Sequence, residues 1–195
     1  MARHRRHTHV SRRKVLRVGA TGATALAVTP VIKAGARGPT STTNADIVGQ
    51  GVDGDTVAED GARLTRNDTG INTSISMQTP APGTYEYPSD DMDEGPPEAF
   101  TLWVFVFDDP DDEDWTGAFL GGGHIVAGDT LQLSGRVSVQ TEPFAGEPLK
   151  NPREAEVHFA VAAHGEVDSD ELPDQIKTSP GGPDTWWYAF FDGDE

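Results

Sequence analysis

The chain has 195 residues, no cysteine, and 32 acidic against 15 basic residues, for a formal net charge of −17. That balance disfavours nucleic acid and anionic membrane surfaces as partners. The missing thiol excludes disulfides, iron–sulfur clusters, Cys-ligated blue copper and thiol nucleophiles. The length suits one domain with a core held by packing alone.

The charge is unevenly distributed. Residues 1–36 hold eight of the basic residues and no acid. A basic arm with Arg3, Arg5 and Arg6 precedes Ser11-Arg12-Arg13-Lys14-Val15-Leu16-Arg17, and the apolar run Val18 to Ile32 follows. That run is shorter than the ~20 residues of a comfortable spanning helix. It leads through Lys33 into Ala34-Gly35-Ala36, a small-x-small pattern suited to a signal peptidase. The stretch resembles a twin-arginine export signal, whose pattern is Ser/Thr-Arg-Arg-x-Phe-Leu-Lys. Ser11, Arg12, Arg13 and Leu16 match; Val15 stands for Phe and Arg17 for Lys.

The resemblance implies passage of an already folded protein through the twin-arginine translocase, cleavage after Ala36, and an extracellular or cell-surface address. No cysteine follows the apolar run, so no lipoprotein anchor is expected, and no transmembrane span is expected in the mature chain. The alternative is an uncleaved N-terminal membrane anchor. Cleavage would leave 7 basic against 32 acidic residues, a net charge near −25. Such a domain repels itself in ordinary salt. In molar salt the Debye length falls to about 3 Å and the repulsion is screened. Signal and composition together resemble exported proteins of halophilic archaea.

Residues 37–68, rich in Gly, Thr, Asp and Asn, read as a flexible spacer. Asp53, Asp55 and Asp60 miss the EF-hand spacing. Asn67-Asp68-Thr69 and Asn72-Thr73-Ser74 are N-glycosylation sequons at Asn67 and Asn72. From Ile71 the hydrophobic period becomes two, which predicts a half-buried strand with Ile71, Thr73, Ile75 and Met77 inward. Residues 84–87 suggest a short strand, and 89–97 an exposed acidic loop.

Ala99 to Phe107 is apolar on both alternating faces and predicts a central strand covered on both sides. The turn after it carries Asp108, Asp109, Asp111, Asp112, Glu113 and Asp114. Gly123 to Ala127 is read as the hairpin partner of a strand with Leu131, Leu133, Val137 and Val139 inward. Residues 154–163 alternate again, with His158 and His164 in the outward phase. One helical turn is expected near 170–177, and a final aromatic strand at 186–191. About six to seven short strands over 69–195 predict an all-β fold, an antiparallel β-sandwich or open barrel.

Few residues in this pattern carry chemistry. His124, His158 and His164 are the histidines beyond the signal, and with Glu156 they would make a zinc or iron set. Against this, His158 and His164 lie about 20 Å apart along a strand at ~3.3 Å per residue. The carboxylates Asp108, Asp109, Asp111, Asp112 and Asp114 suit calcium if they converge, and a solvated acidic surface if they do not. Trp115, Trp186 and Trp187 offer rings for stacking on a sugar, or for the core; neighbours Trp186 and Trp187 must face opposite ways on a strand. There is no Gly-x-Ser-x-Gly elbow and no phosphate loop. The reading is an exported β domain with a binding or structural role toward a glycan or an envelope protein, with no resident cofactor. The alternative is a metal-binding protein or metal-dependent enzyme using the three histidines.

Overall fold

The computed structural model describes residues 40–87, 92, 95, 97–109, 114–126, 129–178 and 183–193, with 122–126 and 183 described by backbone alone. Ser11, Arg12, Arg13, Leu16, Ala34 and Ala36 lie outside the described residues, as do Asp111 and Asp112. Among the described residues nine strands form: β1 (Ser41–Val48), β2 (Thr56–Asn67), β3 (Gly70–Gln78), β4 (Glu98–Phe107), β5 (Gly117–Val126), β6 (Thr130–Ser138), β7 (Ala145–Gly146), β8 (Glu156–Glu166) and β9 (Trp187–Phe191). A single helical turn, α1 (Leu172–Gln175), falls inside the expected range.

All nine strands belong to one antiparallel sheet, in the order β6-β3-β2-β1-β9-β8-β4-β5-β7. The sheet curls into a half-barrel rather than splitting into the two layers of a sandwich. Its concave face holds one core: Leu64, Ile71 and Ile75 from one end meet Phe100, Leu102, Val104 and Phe119 from the other. Each large side chain fully buried there contributes about 1.5–3 kcal/mol. Across this interior the Thr73 hydroxyl donates to the Gly121 carbonyl at 2.9 Å. Gly121 has to be glycine, since a Cβ would sit 2.3 Å from Val104 Cγ2.

The period-two reading holds on β3, where Ile71, Thr73, Ile75 and Met77 are all buried, and on β6, where Leu131, Leu133 and Val137 are. Val139 lies past the end of β6 and is exposed. β4 is covered on both faces, as its composition predicts.

Three expectations are corrected. Residues 41–67 are not spacer but the strands β1 and β2, paired from Ser41↔Arg66 to Val48↔Thr56. Their alternation is masked because alanine is the commonest inward residue, and one inward position is Arg66. Arg66 is 1% exposed, and its guanidinium donates to the carbonyls of Ala155 at 3.0 Å and Asp192 at 2.7 Å. Second, β5 is not the hairpin partner of β6. β6 runs along all of β3, from Gly70↔Ser138 to Gln78↔Thr130, while β5 pairs with β4. Third, residues 84–87 form no strand. They fold over one end of the half-barrel, held by Gln50, which donates to Glu86 O at 2.6 Å and Thr185 O at 2.9 Å.

Candidate functional site

The outer face of β9, β8 and β4 is built by alternation. β9 sends Trp187, Ala189 and Phe191 into the core, and Tyr188 and Phe190 outward. β4 sends Trp103, Phe105 and Phe107 outward. Register aligns Trp103, Ala160 and Tyr188 in one row, and Phe105, His158 and Phe190 in the next. The small Ala160 and Ala162 leave room for rings on either side.

The result is a continuous aromatic band. Trp115 stands 6.0 Å from Phe105, which stacks on Trp186 at 6.0 Å and 15°. Trp186 leads at 6.4 Å to Tyr188, which stacks on Phe190 at 5.7 Å and 9°. His158 joins Phe190 at 4.8 Å and Phe107 at 4.5 Å. Such ring pairs add about 0.5–1.5 kcal/mol each beyond their buried area. Two rings of this region face solvent, Trp115 at 41% and Phe144 at 54%. Phe144 lies edge-on over Trp103 at 4.9 Å, and Trp103 Nε1 is buried with no hydrogen-bond partner among the described residues. A stranded N–H of this kind costs about 1–3 kcal/mol. Burial, with Asp184 second, pushes the Tyr188 phenol up to about 12, so it remains a neutral donor.

Trp186 and Trp187 do face opposite ways. Trp187 is 4% exposed inside the core against Tyr85 and Phe100, so its ring is closed to any ligand. Trp186 is 8% exposed and floors the outer band. Only Trp115 of the three presents an open ring.

The histidines are scattered in role. His158 Nε2 meets Glu156 Oε1 at 2.5 Å within the aromatic band. His164, six residues farther along β8, is 3% exposed. Thr178 Oγ1 gives its proton to Gln175 O and so accepts from His164 Nδ1 at 3.2 Å. Nε2 then carries the lone pair, buried and without a partner among the described residues. Burial lowers the His164 pKa to about 4. The His124 backbone pairs with Phe100 on β4, and its side chain lies outside the described residues. Among the described residues no cluster of three or more His, Asp or Glu side chains is placed to hold a metal ion.

The acidic turn has a structural role at its start. Asp108 accepts backbone N–H groups from Lys150 at 3.3 Å and Asn151 at 2.9 Å, which tethers that loop rather than presenting the carboxylate to calcium. Asp109 and Asp114 flank it. Asn67 sits in the β2–β3 turn, its Oδ1 accepting from Thr69 N at 2.9 Å and Thr69 Oγ1 at 2.7 Å. Asn72 is exposed in mid-strand on β3.

Sequence reasoning missed two features. One is Phe144, a lone aromatic in a Pro/Gly loop. The other is Glu98, 3% exposed at the mouth of the half-barrel, where it accepts from both Tyr85 and Tyr87 hydroxyls. Desolvation raises its pKa above 4.5 despite the opposing Gly95 N–H. The only available signal was an acid in phase with Phe100, Leu102 and Val104. Because the folded pKa is raised, the stability Glu98 contributes is present below pH 4.5 and is lost as pH rises through the folded value. Glu98→Gln is therefore expected to gain stability relative to the parent in neutral buffer and to lose that gain in acid. Urea unfolding in the two buffers checks it, and equal differences in both would sink the assignment.

The chain matches no protein-family model, no curated protein and no solved structure.

Proposed function

We propose that the chain is an exported, extracellular or cell-surface binding domain, and that the outer aromatic band of β4, β8 and β9 stacks on the sugar rings of an envelope glycan. Export rests on the resemblance of Ser11 to Arg17 to a twin-arginine signal. The carrying observation for binding is the pair of exposed rings, Trp115 and Phe144, at the edge of a stacked aromatic floor. Sugar faces stack on aromatic rings, and displacement of Phe144 would offer the unpartnered Trp103 Nε1 to a hydroxyl acceptor. The acidic composition speaks against a polyanion on this face. The metal-dependent alternative has less support, because His158 already pairs with Glu156 and His164 lies far along the same strand.

Titration with neutral polysaccharides, read by tryptophan fluorescence, is the test. Saturable quenching is expected, with Trp115→Ala or Phe144→Ala weakening affinity about tenfold, the equivalent of ~1.4 kcal/mol. Unchanged affinity in both variants, or no response to any glycan tried, would overturn the reading.

A further inference from the structure

A second face of the sheet breaks the rule of the chain. Across 195 residues acids outnumber bases by 32 to 15. Yet every outward position of β3 and β6 is Ser, Thr, Asn, Gln or Arg, and none is Asp or Glu. β2 continues the pattern with Arg63 and Thr65. Register fixes the layout: Arg63, Ser74 and Ser134 form one row, and Thr65, Asn72 and Arg136 the adjoining one. These residues line an open hollow of about 530 Å³. Arg63 and Arg136 occupy its opposite corners. Two strand spacings and two residue rises separate their backbones, roughly 12 Å. Arg136 is only loosely held, donating to Thr69 Oγ1 at 3.3 Å.

On β2 the exposed acids Glu59 and Asp60 precede Arg63, so the acid-free field is that of β3 and β6 with the Arg63 to Thr65 end of β2. An open hollow lined with hydroxyls and an amide between two guanidinium forks suits a particular partner. Arginine binds a carboxylate through two parallel N–H···O bonds, and the interior of the field supplies donors and acceptors for hydroxyls. The backbone separation of the two arginines, roughly 12 Å, is on the scale of a few linked sugar rings. We propose that the β2-β3-β6 face binds a carboxylated, polyuronate-type polysaccharide, with Arg63 and Arg136 each clamping a carboxylate and Asn72, Ser74 and Ser134 contacting the sugar between them. The inference deepens the glycan reading but uses a different face from the aromatic band.

The rest of the molecule repels such a polymer, so binding is best measured at about 1 M salt, where the Debye length is ~3 Å and the short bidentate bonds persist. The probe is polygalacturonate, with a neutral glucan as control, titrated calorimetrically into the full chain. Each of Arg63→Ala and Arg136→Ala is expected to weaken polygalacturonate binding about tenfold. Arg63→Lys, which keeps the charge but loses the fork, should weaken it nearly as much. Neutral-glucan binding through Trp115 should be unchanged in all three variants. Polygalacturonate binding that survives both Arg→Ala changes, or that is lost in Trp115→Ala instead, overturns the proposal while leaving the aromatic-band reading standing. No polygalacturonate binding at all overturns it too, and so does a covalent glycan found on Asn72 by intact-mass analysis, since it would already fill the face.

Discussion

Trp187→Ala is expected to remove about 3–5 kcal/mol of stability, the range for truncating a large buried aromatic. Trp187 is 4% exposed, packs edge-on against Tyr85 at 5.1 Å and contacts Phe100 at 6.3 Å. Its loss leaves a cavity in the core. It also frees Tyr85, one of the two hydroxyls that hold Glu98, so the damage spreads to the mouth of the half-barrel. Folded domains hold only about 5–15 kcal/mol in total, so this variant is expected to melt roughly 10 °C lower. Trp115→Ala, on the exposed edge, is expected to change stability by less than about 0.5 kcal/mol. Denaturant melts of the two variants separate core from binding surface. Similar losses in both would mean that the two tryptophans have been assigned to the wrong sides.

Acid is expected to destabilise the protein through His164. Burial takes its pKa from 6.5 to about 4, so the folded state binds this proton less readily than the unfolded chain. A lowered value means that stability is fully present above pH 6.5 and drains away as pH falls toward 4. At 1.36 kcal/mol per pKa unit, the loss across that window is about 3 kcal/mol. Glu98 runs in the opposite sense, since its raised pKa favours the folded state in acid. The clean measurement is therefore a difference between parent and His164→Gln, by urea unfolding at several pH values. The difference should fall with pH by most of that amount. A parallel pH dependence in the two proteins would show that His164 is protonated as easily folded as unfolded.

The sequence exposed the strands that bury aliphatic side chains on one face, and hid the others. β3 and β6 were legible because Ile71, Ile75, Leu131, Leu133 and Val137 alternate with polar residues. β1 and β2 were not, because Arg66 fills an inward position and the remaining inward side chains are mostly small. The pairing of β6 with β3 rather than β5 was illegible for another reason. β6 follows β5 in the chain, yet only the order of the whole sheet, which puts the two strands in different halves, selects β3 as its partner. At the aromatic band the residue types were visible, and so was the opposition of Trp186 and Trp187. Which of the two faces inward depends on β8, whose Val157, Phe159 and Val161 fill the core and whose Ala160 and Ala162 make space outside. Phe144 carries no periodic signal because it acts from a loop, and Glu98, though in phase with Phe100 and Leu102, is a single acid at a strand end.

The position of β9 sets the order in which this protein can be completed. It is the last strand in the chain but sits in the middle of the sheet, between β1 and β8, and it meets β1 through the Val48↔Tyr188 pair and the Gly51 N–H to Trp186 carbonyl bond at 3.1 Å. Until residues 187–191 emerge from the ribosome, the β6-β3-β2-β1 and β8-β4-β5-β7 portions have no strand to join them. Long-range strand pairing of this kind is slow. Without residues 187–191 the sheet would thus fall into two unpaired pieces, with open edges at β1 and β8.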